Sequence, residues 1–282
     1  MANSTKRTEH KYVPGHQQHH IKLHTMRTAE NSSAYLLSTL KTMVKSQPRL
    51  KLLDCGAGPG SISVSLARYL PEGEVIATDL SEDIVKRAAA YAQEQGATNV
   101  KCEVASIYDL PYPDKSFDIV HVQQVLTHLD EPLKAVQSLI RVCRVGGVVA
   151  IREVDMRMFN YHPETPGLIA AHRLMMASME AGGGSIDMGA RLVSIAMQAG
   201  VQREHIQASM GTFCYSTAEE RFACGSQFRD RLKEGSMRKT VLEAELATVQ
   251  ELDGMMRAWD DWIAAEDGIL GMMNGEILVT KH

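Results

Sequence analysis

The chain has 282 residues, with 30 Lys+Arg against 34 Asp+Glu and a formal net charge of −4. That balance lacks the basic excess of a phosphate-backbone binder, so no nucleic-acid partner is expected. The 44% hydrophobic and 23% charged content fits a globular core and excludes a disordered chain. No apolar run reaches the roughly 20 residues of a membrane-spanning helix, and the first 25 residues lack a secretory signal's apolar stretch. The five cysteines form no CxxC pair and read as reduced thiols, so a cytoplasmic location is expected.

Residues 1–48 are expected to form a polar tail and a helical cap, with 49–282 as the main domain. Leu36, Leu37, Leu40, Met43 and Val44 fall at helical spacing, Asn31, Ser32 or Ser33 can cap the helix, and Pro48 ends it. Strands and helices then alternate. Strands are predicted at 51–54, 74–79, 100–104, 117–122 and 148–153. Helices are predicted at 61–70, after Ser81, and from Asp130 and Pro132 to about Cys143. Such alternation implies a parallel sheet with right-handed crossovers. After residue 155 the composition shifts, and 13 of the 16 methionines lie between Met156 and Met273. Helices are expected at 166–180 and 187–199, and strands at 205–215 and 275–281. Leu242, Leu246, Val249, Leu252, Met256, Trp259 and Ile263 trace one helical stripe. A helical lid is expected near 217–270, beside a core at 49–155.

The most informative segment is Leu52-Leu-Asp-Cys-Gly-Ala-Gly-Pro-Gly60. A strand enters a glycine-rich turn, where backbone can approach a ligand closely, and then a helix whose first N–H groups are unpaired. Nineteen residues after Gly60 the second strand ends in Asp79, placed to accept ribose hydroxyls. Gly56, Gly58 and Gly60 follow G-x-G-x-G and not the dinucleotide spacing G-x-G-x-x-G. Asp54, two residues before Gly56, would repel a pyrophosphate but suits an ammonium group. S-adenosylmethionine carries a ribose, an adenine, an α-ammonium and no phosphate, and the spacing favours it over NAD.

Residues 52–153 resemble the class I S-adenosylmethionine-dependent methyltransferases, in the small-molecule branch similar to the ubiquinone/menaquinone biosynthesis enzymes. The matching stretches are LLDCGAGPG (52–60), VIATDLSEDIV (75–85), DLPYPDKSFDIVH (109–121), QVLTHLDEP (124–132) and RVCRVGGVVAIRE (141–153). The resemblance implies a doubly wound, mostly parallel seven-stranded α/β sheet of Rossmann-like type. Asp54 and Gly56 would hold the methionine part, with Gly58 and Gly60 completing the turn. Asp79 would bind the ribose and Leu80 would lie against the adenine, whose edge would meet Ser106 and Ile107. Gln123 and Gln124 would sit beside the methionine and methyl groups, and Arg27 or His24 could cap the cofactor carboxylate. Two residues depart from the family pattern. Ser106 stands where an Asp is usual, which weakens the adenine contact, and Val145 replaces a common Pro.

Methyl transfer from a sulfonium is an in-line displacement, so the protein positions the nucleophile and, for some acceptors, removes a proton. His128, after the fourth strand, and Glu153, ending the fifth, are the candidate catalytic residues. The alternatives are a structural histidine, and a salt bridge from Glu153 to Arg152 or Arg157. Tyr161 and His162 could face the acceptor, while His121 reads as packing. His16, His19, His20 and His24 have helical spacing that could make a metal face, but an exposed polar segment is the commoner outcome, and no metal is assigned. Cys55 reads as a buried filler. Met175, Met176, Met179, Met255, Met256, Met272 and Met273 would line an adaptable acceptor pocket or pack as core. The expected activity is methylation of a small, largely apolar metabolite, with the O, N, S or C acceptor atom and a homodimer left open. A protein that binds the cofactor without methylating, and an NAD-dependent oxidoreductase, are the rivals.

Overall fold

The computed structural model describes residues 25–282; His16, His19, His20 and His24 fall outside them. Two helices, α1 (Ala29–Ser32) and α2 (Ala34–Ser46), precede β1 (Lys51–Cys55). The chain continues through α3 (Ser61–Ala67), β2 (Glu74–Asp79), α4 (Glu82–Glu94), β3 (Val100–Val104), β4 (Phe117–Gln123), α5 (Pro132–Val142) and β5 (Cys143–His162). It ends with α6 (Pro166–Ala181), α7 (Met188–Gln198), β6 (Ile206–Tyr215), α8 (Ala218–Lys233), α9 (Ser236–Glu243), α10 (Val249–Ala264) and β7 (Ile269–Thr280). The sheet order is β3-β2-β1-β4-β5-β7-β6. The first five strands are parallel, and β7 runs antiparallel between β5 and β6.

Both faces of the central strands are covered, which is why they read as continuous apolar runs. On one face Leu36 and Leu40 of α2 pack with Leu50, Leu52, Ile119, Ala150 and Leu278. The expected cap is therefore part of the main core. On the other face Leu53, Val120, Val122, Val149 and Ile151 meet Leu139 of α5 and Leu192 of α7.

Two expectations are corrected. The fifth strand does not stop at Glu153 but runs to His162, paired with β7 through a register shift between Val154 and Phe159. Apolar residues alternate at Val154, Met156 and Met158, with Asp155 and Arg157 between them. This is a strand period carried by methionine, a residue with little strand preference of its own. The stripe from Leu242 to Ile263 is also two helices. Glu245 adopts φ 53 after α9, and Thr248 then opens α10 with a reciprocal capping box to Glu251. Leu246 and Val249 are consequently exposed. Helices α8–α10, in the segment where a lid is expected, form one helical layer inserted between β6 and β7. Phe228, Trp259 and Trp262 pack it onto Tyr161, Phe213 and Met272 of the strand extensions.

Candidate functional site

The turn after β1 has positive φ at Gly56 (72°), Gly58 (56°) and Gly60 (82°). A methyl group at Gly56 would come within 2.3 Å of Val125 Cγ2, whereas nothing lies within 4 Å of the same position at Gly58. The turn is thus packed on one side and open on the other. Asp79 braces it, as its Oδ2 accepts from Gly58 N at 3.1 Å and its Oδ1 from Ser81 N at 3.1 Å. A carboxylate keeps further lone pairs for a ligand. Leu80 beside it is 61% exposed, a large apolar side chain presented to solvent. Ser106 Oγ accepts from Tyr108 N at 3.3 Å. Ile107 is turned into the core.

Asp54 does not face the turn's open side. Its Oδ2 accepts from Ser63 Oγ at 2.5 Å, and its Oδ1 lies 2.8 Å from His121 Nδ1. His121 Nε2 is 2.9 Å from Ser33 Oγ. This is the connectivity of a hydrolytic Ser-His-Asp triad, yet Ser33, His121 and Asp54 are 0%, 0% and 2% exposed. A nucleophile sealed from substrate has no hydrolytic use. The chain of contacts instead pins the α1–α2 junction to β4 and β1.

The C-terminal end of β4 carries the polar centre. Gln123 pairs in register with Arg152, Arg152 with Glu276, and Glu276 with Ser209, a polar row across β4, β5, β7 and β6. Arg152 Nε lies 3.1 Å from Glu276 Oε1, and its guanidinium donates to Ser32 O at 3.0 Å. Ser209 Oγ donates to Glu276 at 2.8 Å. The Gln123 amide is buried, and neither its oxygen nor its nitrogen has a partner among the described residues. Such a group is costly unless a ligand satisfies it. An amide's one acceptor and two donors match an amino acid's ammonium and carboxylate. Gln124 sits at φ 52, a strained position for a residue with a Cβ. Its Nε2 donates to Asn274 Oδ1 at 3.1 Å. The Tyr35 hydroxyl is also buried without a partner among the described residues. Burial raises its pKa well above normal, and the Arg152 charge opposes that shift.

Glu153 is fully buried and holds the loop after β4. Its Oε1 accepts from Val125 N (2.9 Å) and Leu126 N (2.8 Å), and its Oε2 from Thr127 N (3.2 Å). Burial pushes its pKa up to about 7, against the pull of those three N–H groups. The expected salt bridges do not form. Arg152 pairs with Glu276, and Arg157 with Asp155 at 2.7 Å. His128 lies on that same loop. Burial first, then the charges of Arg231 and Arg27, lower its pKa to about 3. That direction favours the neutral imidazole.

The Arg27 guanidinium carbon lies 5.2 Å from the centre of the Phe213 ring on β6, and its charge also acts on Glu153 and His128. Arg152 approaches the same ring at 4.1 Å. A cavity of about 370 Å³ here is bounded by the N-terminal segment, the strand ends and α8. A second, small cavity of about 10 Å³ lies under the inserted helices, lined by Phe159, Tyr161, His172, Met175, Phe228 and Trp259 among others. Tyr161 faces it, whereas His162 is exposed beside Asp267 at 3.2 Å. Met175 lines that cavity, Met255 and Met272 belong to the lid core, and Met176 and Met179 pack against Val154. Burial raises the Cys55 thiol to about 12, as befits a filler. Tyr35, Phe213, Asn274 and Glu276 carry no signal in the sequence, and Arg152 is named there only as a partner for Glu153. The Gln123–Arg152–Glu276 register brings Arg152 and Glu276 together.

Residues 46–204 match a methyltransferase-domain family. An uncharacterized methyltransferase of Schizosaccharomyces pombe is 30% identical over 280 residues, covering 96% of each chain. A probable methyltransferase of Aspergillus luteorubrus, ltbC, is 27% identical over 284 residues, covering 96% of this chain and 97% of its own. The crystal structure of YcgJ from Bacillus subtilis superposes with TM-score 0.55 at 18% identity, over 87% of this chain and 99% of that one.

Proposed function

The chain belongs to the methyltransferase-domain family, whose members use S-adenosylmethionine, and from that premise we propose that it methylates a small, largely apolar metabolite. The observation that carries the reading is the buried Gln123 amide, unpartnered among the described residues, at the end of β4 next to β1 and its glycine turn. Together they suit the amino-acid end of the cofactor better than a diphosphate.

When bound, the cofactor supplies an activated methyl on a sulfonium with a neutral leaving group. The residues do the rest. The backbone of Gly56 and Gly58 admits the ligand closely. Asp79 accepts ribose hydroxyls with its remaining lone pairs, and Leu80 covers the adenine with apolar surface. Ser106 reaches the adenine edge, while Ile107 supports that segment from within the core. Gln123 satisfies the ammonium and carboxylate. Asp54 acts as a positioning residue by holding the strand end through Ser63 and His121. Glu153 is a positioning residue for the 125–127 loop. His128 sits on the same loop, where burial favours its neutral form and makes it a weak base. Helices α8–α10 cover the small cavity lined by Phe159, Phe228 and Trp259, and their closure over a bound acceptor would exclude water and strengthen the polar contacts inside.

Incubation with methyl-labelled S-adenosylmethionine and a metabolite extract tests the reading. It predicts a labelled product, and with unlabelled cofactor the same product about 14 Da heavier than its precursor, the mass of one added CH₂ group. Tight cofactor binding with no labelled product from any extract would favour the non-methylating alternative.

A further inference from the structure

We infer that the Tyr35 hydroxyl, at the start of α2, donates a hydrogen bond to the carboxylate of the cofactor's amino-acid end, beside the Gln123 amide. The inference rests on the methyl-transfer reading and gives the N-terminal helix a part in the cofactor site. The family match covers residues 46–204, so Tyr35 lies outside it.

The Gln123 amide, through both its oxygen and its nitrogen, and the Tyr35 hydroxyl are buried without partners among the described residues. Tyr35 as a residue is partly exposed, so its polar tip is the part turned inward. A buried hydroxyl or amide left unsatisfied costs free energy, and its presence points to a ligand that completes it.

Sheet geometry brings the two groups towards one place. Leu52, Ile119, Ala150 and Leu278 pack with Leu36 and Leu40 of α2. Side chains two or four residues away along a strand face the same way. Asp54, Gln123, Arg152 and Glu276 therefore point to the α2 side of the sheet. Tyr35 packs against that same layer. The residues just before it are tied down, because Ser32 O accepts from Arg152 and Ser33 Oγ lies 2.9 Å from His121 Nε2. Besides burial, the charges acting on the Tyr35 hydroxyl are those of Arg152, Glu276, Glu153 and Asp54, in that order. They stand on β5, β7, β5 and β1. Strand β4 lies between β1 and β5, and its last residue, Gln123, is in register with Arg152. The hydroxyl thus lies near the end of β4.

The chemistry of the two groups is complementary. The Gln123 oxygen can accept from an ammonium, and its nitrogen can donate to a carboxylate. A carboxylate offers about four lone-pair sites, more than one amide fills. Tyr35 supplies a further donor, since burial keeps its phenol protonated. The guanidinium of Arg152 is already held by Glu276 and the Ser32 carbonyl.

The test titrates the full chain by calorimetry with three ligands. These are S-adenosylhomocysteine, its decarboxylated analogue, which keeps the ammonium, and 5′-methylthioadenosine, which lacks the whole amino-acid end. Tyr35→Phe should weaken S-adenosylhomocysteine about tenfold and change the other two less than about twofold. Without ligand the variant should melt at or above the native temperature, because a buried hydroxyl without a partner has been removed. S-adenosylhomocysteine should then raise its melting temperature less than that of the native chain. Unchanged S-adenosylhomocysteine affinity in the variant overturns the inference. An equal loss for all three ligands also overturns it, since the hydroxyl would then shape the site and not hold the carboxylate. A ligand-free variant that melts several degrees below the native chain does the same, by revealing a partner within the fold. If the native chain binds S-adenosylhomocysteine no tighter than its decarboxylated analogue, the inference fails while the methyl-transfer reading stands. Failure of the native chain to bind S-adenosylhomocysteine at all would instead sink the reading beneath it.

Discussion

The two sides of the cleft are built by opposite means. Around β1 and β2 the surface is largely backbone, with Gly56 and Gly58 in left-handed conformations and Asp79 bracing their turn. Around β5, β6 and the lid it is side chain, with Phe159, Phe213, Phe228 and Trp259 interleaved with Met175 and Met237. A backbone surface is hard to alter without breaking the fold, whereas aromatic and methionine walls repack when one residue changes. The contrast predicts a cofactor side that is intolerant and specific, and an acceptor side whose substitutions change substrate before they change stability.

The largest effect should come from Gly56→Ala. Its methyl must enter the 2.3 Å gap to Val125 at φ 72, so cofactor affinity should fall by about a hundredfold or more while the protein loses roughly 2 kcal/mol of stability. Calorimetry and thermal melting read both. Near-normal binding would show that the turn is more pliable than its packing implies. Asp79→Ala should weaken the cofactor by about tenfold or more, because ribose hydroxyls lose a charged acceptor. Unchanged affinity would remove Asp79 from the site.

Glu153→Gln tests the boundary between the two sides. A group whose folded pKa is raised stabilises the fold fully below its unfolded value, and that contribution is lost as pH rises through the folded value. For Glu153 the window runs from 4.5 to about 7. Across it the variant's melting temperature should fall less than that of the native protein. Parallel curves would mean that Glu153 is ionised throughout. Turnover should also lack a step near pH 6.5 attributable to His128, since its pKa is lowered to about 3. A step there that disappears in His128→Asn would restore it as a proton acceptor. The smallest effect should be that of Ser106→Asp, a severalfold gain in cofactor affinity if its side chain reaches the adenine amino group. Indifference to the change would place Ser106 outside the adenine contact.

The same contrast explains what the sequence made legible. The glycine turn, Asp79 and the strand–helix alternation are local patterns, readable within a few residues, and the sheet follows from them. The inward turn of Asp54 depends on Ser33, Ser63 and His121, which converge from three elements. The 370 Å³ cavity joins Arg27, Arg152, Phe213 and Glu276, spread over nearly the whole chain, so no window contains their relation. Glu153 was noticed for its place at a strand end, but its three backbone partners follow it in no sequence pattern. The methionine-rich extension of β5 and the Thr248–Glu251 cap were present in the sequence as alternation and capping signals, and a reading by hydrophobic stripe alone passes over them.

The central claim is that the turn beside Asp79 and Gln123 takes an adenosyl sulfonium and not a dinucleotide. Calorimetric titration of the intact chain with S-adenosylhomocysteine and, separately, with NAD tests it most directly. The account predicts one-to-one binding of the first, reduced in Asp79→Ala, with no measurable heat from the second. Binding of NAD in preference to S-adenosylhomocysteine would contradict it.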